Sequence, residues 1–246
     1  MSTNSFSVVP EFYDELMKPV PYRMWTSYYL LLLSRVGSKP RRVLDVACGT
    51  GTMCQMLYAE GLHMTGIDLS PGMIEQAKAK AAKKNLPVDY EVADARTFNL
   101  GRTFDGALSF FDSLNNILEP EGIQQAFHRV YEHLVPGGSW IFDLNTAYAF
   151  EQELFDQKQL GEKHRLQYKW KGEYDANQKI IEIRMKFWRD GQELEEVHRQ
   201  RAYEEFEVRE MLHRAGFVGI DVFHSYTLDP PRRKSDRIHF VALRPD

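Results

Sequence analysis

The chain has 246 residues, of which 43% are hydrophobic and 27% charged, a composition typical of a folded globular protein. Its formal net charge of −4 gives no overall attraction for nucleic acid, and its longest apolar run, residues 28–33, is too short to cross a bilayer. The N-terminus lacks the features of a secretory signal. Two cysteines, Cys48 and Cys54, are too few for a disulfide framework, so we expect a cytoplasmic protein.

The first predicted elements are helical. Residues 8–36 read as helix, interrupted at Pro19 and Pro21, and the second proline suits the first turn of a new helix. Aromatic side chains are concentrated in this segment, at Tyr13, Tyr22 and Trp25. Two interpretations stay open: the segment packs on the core, or residues 1–38 form an aromatic lid over a ligand.

A glycine turn follows the first predicted strand. The apolar strand at 42–47 stops at Gly49-Thr50-Gly51, and a helical pattern begins at once at Thr52. Strand, tight turn and helix in this order form the place where an open α/β sheet binds a nucleotide-like ligand. Asp45 precedes the turn, and Asp68 ends the next strand about twenty residues later, which strengthens the signal.

The details of this turn favour one ligand over another. A dinucleotide fingerprint requires a third glycine where this chain has Cys54. Asp45 suits an ammonium group better than a pyrophosphate, and Asp68 suits a ribose diol because a carboxylate can accept from two hydroxyls. Asp94 and Ala95, after the third strand, can supply an acceptor and a backbone donor to an adenine edge. One ligand that carries all of these groups is S-adenosylmethionine. It has an ammonium group, a ribose, an adenine, and a carboxylate that is free to meet the helix N-terminus.

Strands and helices alternate as far as Asn145, which predicts a parallel, doubly wound sheet. The predicted strands are residues 42–47, 63–69, 88–93, 104–111 and 139–144. The predicted helices are residues 52–60, 70–84, 121–134 and 146–155. Ser70 serves as N-cap of the second of these helices, and Pro71 occupies its first turn.

The pattern changes after Asn145. Three runs with a period near two follow, at 164–174, 179–189 and 193–203, and Asp190-Gly191 is a strong hairpin signal. We expect an inserted antiparallel sheet at 160–204 with one apolar face. It could be a structural or dimer-forming platform, or it could roof a substrate cavity over the ends of the fourth and fifth strands. A helix at 206–215 and strands at 217–226 and 237–243 then complete the core over residues 205–246.

Three motifs, VLDVACGTG (43–51), GIDLS (66–70) and ADA (93–95), resemble the successive motifs of class I S-adenosylmethionine-dependent methyltransferases. The likeness continues through 104–109 and 134–138 to the final strands. It implies a Rossmann-like, doubly wound seven-stranded sheet with the last strand antiparallel, in a single domain (1–246) whose cofactor-binding core is 39–145. The N-terminal aromatics and the insert further resemble bacterial small-molecule methyltransferases, including the glycine and amino-sugar N-methyltransferase types.

The same resemblance implies roles in cofactor binding. Asp45, Gly49 and Gly51 would hold the methionine end, Asp68 the ribose, and Asp94 with Ala95 the adenine. Met73 would pack on the adenine face, although an ordinary core position is an equal alternative. The other implied cofactor contacts are Tyr13, Tyr22, Trp25, Ala47, Leu69 and Phe111.

Candidate acceptor contacts follow the fourth strand and end the insert. We look first at Asp112 and Asn115, where the methyl group should emerge, and next at His198 and Arg201. His198 could titrate near neutrality, although an exposed strand histidine is the more common finding. Arg201 could pair with an acidic substrate or with a glutamate at 204–205.

The sequence therefore predicts an S-adenosylmethionine-dependent methyltransferase acting on a small molecule, with N-methylation slightly favoured over O-methylation. A neutral amine needs little beyond alignment, whereas a hydroxyl needs a general base. Two alternatives stay open: a methyltransferase acting on RNA, which the acidic balance disfavours, and a catalytically silent protein that keeps the cofactor pocket. No metal is expected. Metal-dependent catechol methyltransferases use an acid and an amide that are neighbours in sequence, whereas Asp143 and Asn145 are separated by Leu144.

Overall fold

The computed structural model describes residues 9–161 and 165–246. The predictions for residues 1–8 and for the start of the first inserted run at 164 lie outside the described residues. The strands are β1 (Arg42–Val46), β2 (His63–Asp68), β3 (Asp89–Val92), β4 (Phe104–Ser109), β5 (Leu134–Asn145), β6 (Gln157–Gln159), β7 (Leu166–Asp175), β8 (Ile180–Arg189), β9 (Gln192–Arg201), β10 (Val218–His224) and β11 (Arg237–Leu243). The helices are α1 (Tyr13–Leu16), α2 (Tyr22–Arg35), α3 (Thr52–Ala59), α4 (Pro71–Lys83), α5 (Pro120–His133), α6 (Ala147–Glu151) and α7 (Glu205–Ala215).

A seven-stranded sheet forms the centre of the molecule, in the order β10-β11-β5-β4-β1-β2-β3. β1 pairs in parallel with β2 and β4, and β4 pairs in parallel with β5. The last strand, β11, runs antiparallel to both of its neighbours, β5 and β10. The predicted fold class, a doubly wound sheet with an antiparallel last strand, is confirmed.

Apolar helix faces cover both sides of this sheet. On one side, α5 and α7 bury Phe127 and Leu212 in a cluster with Trp140 and Phe142 of β5. On the other side, α2, α3 and α4 pack over the alternate residues of the same strands, among them Ile141. This alternation is what a strand produces when both faces of its sheet are covered. The carboxyl ends of the parallel strands consequently meet at one edge.

The predicted inserted sheet is present, with strand order β6-β7-β8-β9 and antiparallel pairing throughout. As predicted, one face of β8 is apolar and buried, from Ile181 at 1% exposed to Phe187 at 0%. β6 is an additional edge strand that the periodicity did not predict. The other face carries exposed ion pairs, such as Arg199 with Glu182 and Lys186 with Glu195. A charged face of this kind favours contact with solvent over a homodimer contact.

The predicted interruption of the N-terminal helical segment is confirmed: Pro19 and Pro21 separate the short α1 from the longer α2, because they cannot supply the N–H groups of a continuous helix. Other boundaries differ from the predictions, and α6 ends at Glu151 rather than at residue 155. β5 begins at Leu134, because residues 136–138 form an irregular part of the strand rather than a turn. Its pairing with β4 shifts register between Phe104 and Gly106. Within the described residues, none of the helices is long and apolar enough to span a membrane.

Candidate active site

The glycine turn between β1 and α3 is built from left-handed backbone. Ala47, Gly49 and Gly51 have φ values of 65°, 54° and 73°. A Cβ on Gly51 would lie 2.4 Å from the Tyr90 hydroxyl oxygen, so only glycine fits there. The turn leads directly into the N-terminus of α3, where unpaired backbone N–H groups favour a carboxylate or another anion.

Asp68 connects the end of β2 to this turn. Its Oδ2 atom accepts the Gly49 backbone N–H at 2.8 Å, and its Oδ1 atom accepts the Ser70 backbone N–H at 2.9 Å. Burial raises the pKa of the Asp68 carboxyl, and the two N–H donors partly offset that effect. The adjacent Leu69 side chain is 64% exposed, so an apolar surface is open beside the carboxylate. The glycine turn and Asp68, which the sequence predicts to form one site, are therefore in contact.

Asp45 is a buried acid beneath the turn. It is 3% exposed, and the Cys54 thiol donates to its Oδ2 atom at 3.2 Å. Burial raises the pKa of Asp45 to about 7, with a smaller contribution from the like charge of Asp68. Cys54, which stands where a dinucleotide fingerprint has its third glycine, thus contacts Asp45. A neighbouring ammonium group would favour the ionised carboxylate.

The predicted adenine contacts lie at the end of β3. The Asp94 carboxylate forms an ion pair with Arg96 at 2.6 Å and accepts its backbone N–H at 2.8 Å. This pairing lowers the pKa of Asp94. Ala95 packs against the core on the α5 side of the sheet. Met73 is only 2% exposed in the first turn of α4, so it contacts protein rather than open space.

The N-terminal aromatics cover the turn and the end of β4. The Tyr13 ring lies 4.0 Å from the Cβ position of Gly49, and burial raises the pKa of Tyr13. The Phe111 ring lies 4.9 Å from that of Tyr22 and 4.2 Å from that of Trp25, measured between ring centroids. The predicted aromatic contacts therefore surround the site.

Asp14 fastens this segment to the turn. Its carboxylate accepts the Thr50 hydroxyl at 2.6 Å and pairs with Lys80 of α4 at 2.6 Å. Farther along the segment, Phe12 packs on Phe187 of the inserted sheet with ring centroids 5.1 Å apart. Residues 9–17 thus bridge the glycine turn and the insert.

Asp112 is fixed at the end of β4. It follows Phe111, and both residues have left-handed backbone, with φ values of 63° and 51°. Consecutive non-glycine residues in this conformation indicate a constrained and often functional segment. The Oδ1 atom accepts from Arg237 at 2.7 Å and the Oδ2 atom from Gln200 at 2.6 Å. The backbone N–H donates to Asp143 at 3.0 Å.

Asn115 contacts only backbone among the described residues. Its amide nitrogen donates to the carbonyls of Asn145 at 3.1 Å and Arg201 at 2.8 Å, and its Oδ1 atom accepts the Asn145 N–H at 3.0 Å. The side chain is 0% exposed. Both amide hydrogens are used in these bonds, so Asn115 holds β5 and β9 together at the end of β4.

His198 is buried, so the expectation of an exposed strand histidine is wrong. It is 5% exposed on the inner face of β9, and its Nε2 atom lies 2.9 Å from Oε1 of Glu196, itself 6% exposed. Arg201 contacts neither predicted glutamate among the described ion pairs. It donates to the Gln178 carbonyl at 3.2 Å, and its guanidinium carbon lies 5.6 Å from the Tyr203 ring centroid.

Three contacts of Asp112 were not predicted from the sequence: Gln200, Asp143 and Arg237. The sequence did contain a signal for Gln200. Polar side chains alternate at 196, 198 and 200, and a period of two places them on one face of the strand. Arg237 offers no local signal, since it is separated from Asp112 by 125 residues.

The fold and the site together define a class of protein. An open α/β sheet carries a glycine turn, acids towards the carboxyl ends of three neighbouring strands, and a fixed carboxylate after β4. This is the arrangement of an S-adenosylmethionine-dependent methyltransferase. A family model described as a methyltransferase domain matches residues 43–138.

Relatives extend this match over the chain. A protein of Geobacillus sp. (strain WCH70) that carries a methyltransferase name is 31% identical over 238 residues, covering 94% of this chain and 96% of its own. The chain therefore belongs to the class I S-adenosylmethionine-dependent methyltransferases. The crystal structure of an S-adenosylmethionine-dependent methyltransferase from Clostridium acetobutylicum matches with a TM-score of 0.84 and 25% identity, covering 96% of this chain and 97% of that one. The sugar N-methyltransferase KedS8 from Streptoalloteichus shares the fold, with a TM-score of 0.76 and 20% identity over 98% and 94% of the two chains.

Proposed function

We propose that this methyltransferase transfers the methyl group of S-adenosylmethionine to the nitrogen of a small-molecule amine. The observation that carries the proposal is the Asp112 carboxylate, held at the end of β4 by Arg237 and Gln200. Attack by a neutral amine on the methyl group leaves a positive charge on nitrogen. A fixed carboxylate beside that nitrogen stabilises the developing charge. The fold shared with a sugar N-methyltransferase supports the same acceptor class.

The residues of the glycine turn fit the cofactor. Three acids lie towards the carboxyl ends of neighbouring strands: Asp45 within β1, Asp68 at the end of β2 and Asp94 after β3. There they can meet an ammonium group, a ribose and an adenine amine. Gly49 leaves space beneath the Tyr13 ring that a larger side chain would occupy. When bound, S-adenosylmethionine supplies an activated methyl group, so the chain itself needs to align the acceptor and exclude water.

The N-terminal segment has a role in this proposal as a lid. Residues 9–17 contact the glycine turn through Asp14 and the inserted sheet through Phe12, so their release would open the site between both. The inserted sheet, which the sequence analysis offered as a roof over the substrate cavity, reaches Asp112 through Gln200 of β9. We place the protein in the cytoplasm, in keeping with its two free cysteines.

A second candidate is O-methylation, which the Glu196–His198 pair favours. A hydroxyl acceptor must lose its proton as it attacks, and a histidine oriented by a carboxylate is a suitable base. The pair lies on the same face of β9 as Gln200. In that case His198→Gln should abolish turnover.

The test is turnover with a panel of small amines, amino sugars, phenols and hydroxy acids, measured as S-adenosylhomocysteine formed. We expect methylation of amines only, and at least a tenfold loss of kcat/KM in Asp112→Asn, as for removal of one charge-assisted contact. Asp229→Asn is the matched control, because Asp229 also pairs with an arginine, Arg232, at 2.5 Å, but on the exposed surface. Turnover confined to hydroxyl acceptors would favour the second candidate, and turnover with no acceptor would contradict both.

A further inference from the structure

Arg237 lies at the edge of the sheet where the proposed reaction takes place. It is the first residue of β11 and stands opposite Asn145, the last residue of β5. Because β11 is antiparallel, its beginning meets the carboxyl ends of β4 and β5. The Arg237 side chain is 16% exposed, and its guanidinium carbon lies 5.1 Å from the Trp25 ring centroid.

The guanidinium holds two acids at once. Its Nη2 atom donates to Oδ1 of Asp112 at 2.7 Å, and its Nη1 atom donates to Oδ2 of Asp143, which is 0% exposed. Asp143 Oδ2 also accepts the backbone N–H of Asp112. A buried carboxylate without a cation would be costly, and its charge would repel a second carboxylate nearby. Arg237 therefore lies between two carboxylates and pairs with both, so the three side chains together keep one formal negative charge.

Gln200 holds the other side of the same carboxylate. Its amide donates to Oδ2 of Asp112 at 2.6 Å from the inner face of β9, where it is 5% exposed. Asp112 is thus held by one side chain from the central sheet and one from the inserted sheet. Its backbone is in the left-handed conformation, which a non-glycine residue seldom keeps without such contacts.

We propose that Arg237 and Gln200 are positioning residues, a clamp that fixes the Asp112 carboxylate in the orientation that meets the acceptor nitrogen. The inference rests on the proposed function, since it takes Asp112 to face the transferred methyl group. An arginine is required because its planar fork reaches both acids, whereas lysine offers a single point charge. The clamp makes the inserted sheet part of the acceptor site.

The test uses two cofactor analogues and needs no knowledge of the acceptor. In sinefungin a carbon that bears an amino group replaces the methyl-bearing sulfur of S-adenosylmethionine, so the amine stands where the methyl group would be. S-adenosylhomocysteine has a sulfur with neither a methyl nor an amino group at that position. The ratio of their dissociation constants, measured by calorimetry, therefore reports a carboxylate placed at the methyl position. In the wild-type protein we expect sinefungin to bind about tenfold more tightly, and Asp112→Asn to remove that preference.

The clamp variants are Arg237→Lys, which keeps the charge but loses the fork, and Gln200→Met, which removes the amide group that donates to Asp112. Each should reduce the sinefungin preference by about three- to tenfold and leave the S-adenosylhomocysteine affinity within about twofold. Arg244→Lys is the matched control. Arg244 also lies over an aromatic ring, that of Tyr131 at 4.6 Å, and donates to a backbone carbonyl, but at the opposite edge of the sheet.

The outcomes separate the two proposals. If Asp112→Asn keeps the wild-type preference, Asp112 does not face the methyl group, and both the proposed function and the clamp fall. If Asp112→Asn loses the preference while the clamp variants keep it, the clamp alone is overturned. If Arg237→Lys fails to fold, Gln200→Met decides by itself, because it leaves both partners of each Arg237 ion pair, Asp112 and Asp143, in the chain.

Discussion

Replacing Asp45 with asparagine should stabilise the cofactor-free protein, and the gain should grow with pH. Burial raises the pKa of this carboxyl from 3.8 to about 7, so the folded protein opposes its ionisation. Below about pH 4 both folded and unfolded chains carry the neutral acid, and there is no cost. As the pH rises towards about 7 the unfolded chain ionises first, and the free energy of unfolding falls by about 1.4 kcal/mol per pH unit, levelling off above about pH 7.

The magnitude follows from that window. Between about pH 5 and about pH 8 the wild-type protein loses about 3 kcal/mol of stability through Asp45, whereas an asparagine does not titrate. The stability difference between Asp45→Asn and wild type should therefore increase by about 3 kcal/mol over this range. Urea unfolding at a series of pH values, followed by circular dichroism without cofactor, measures it.

Asp105→Asn is the control with the opposite electrostatics. The carboxylate of Asp105 accepts two backbone N–H groups and pairs with Arg42, and these contacts lower its pKa. Its contribution is complete above the unfolded pKa and is lost only at lower pH, so this variant should show a constant difference from about pH 5 to about pH 8. A constant difference for Asp45→Asn as well would refute the argument that Asp45 is held as a buried acid.

Three further predictions test the cofactor side. Asp68→Ala should weaken S-adenosylmethionine binding by about 1–3 kcal/mol, by calorimetry, and unchanged affinity would remove the ribose role. Gly51→Ala should lower the urea midpoint of unfolding far more than Gly61→Ala. Both glycines have positive φ, but only at Gly51 would the new Cβ collide with Tyr90. Equal effects of the two substitutions would contradict the packing argument. Asp14→Asn should speed cleavage within residues 9–21 by limited proteolysis; an unaltered rate would mean that other contacts hold the lid.

The sequence by itself predicted the residues of the proposed donor half of the site. Gly49, Asp45 and Asp68 are local features: a glycine where the backbone turns, and acids where apolar strands end. The carboxyl ends of adjacent parallel strands must meet, so spacing along the chain is enough to predict that these residues converge. The alternating apolar residues of β8 predicted the inserted sheet for the same reason, since strand periodicity is local.

Only the tertiary structure decided the arrangement of the proposed acceptor half. Asp112 follows a strand as the other acids do, but its orientation depends on Gln200, Asp143 and Arg237, which come from three other strands. Contacts between residues separated by up to 125 positions leave no periodic trace in the sequence. Burial has the same character: the sequence reads His198 on β9 as an exposed strand residue, whereas in the folded chain it is 5% exposed. Local pattern fixes which elements form, whereas the chemistry of the acceptor site arises where distant elements meet.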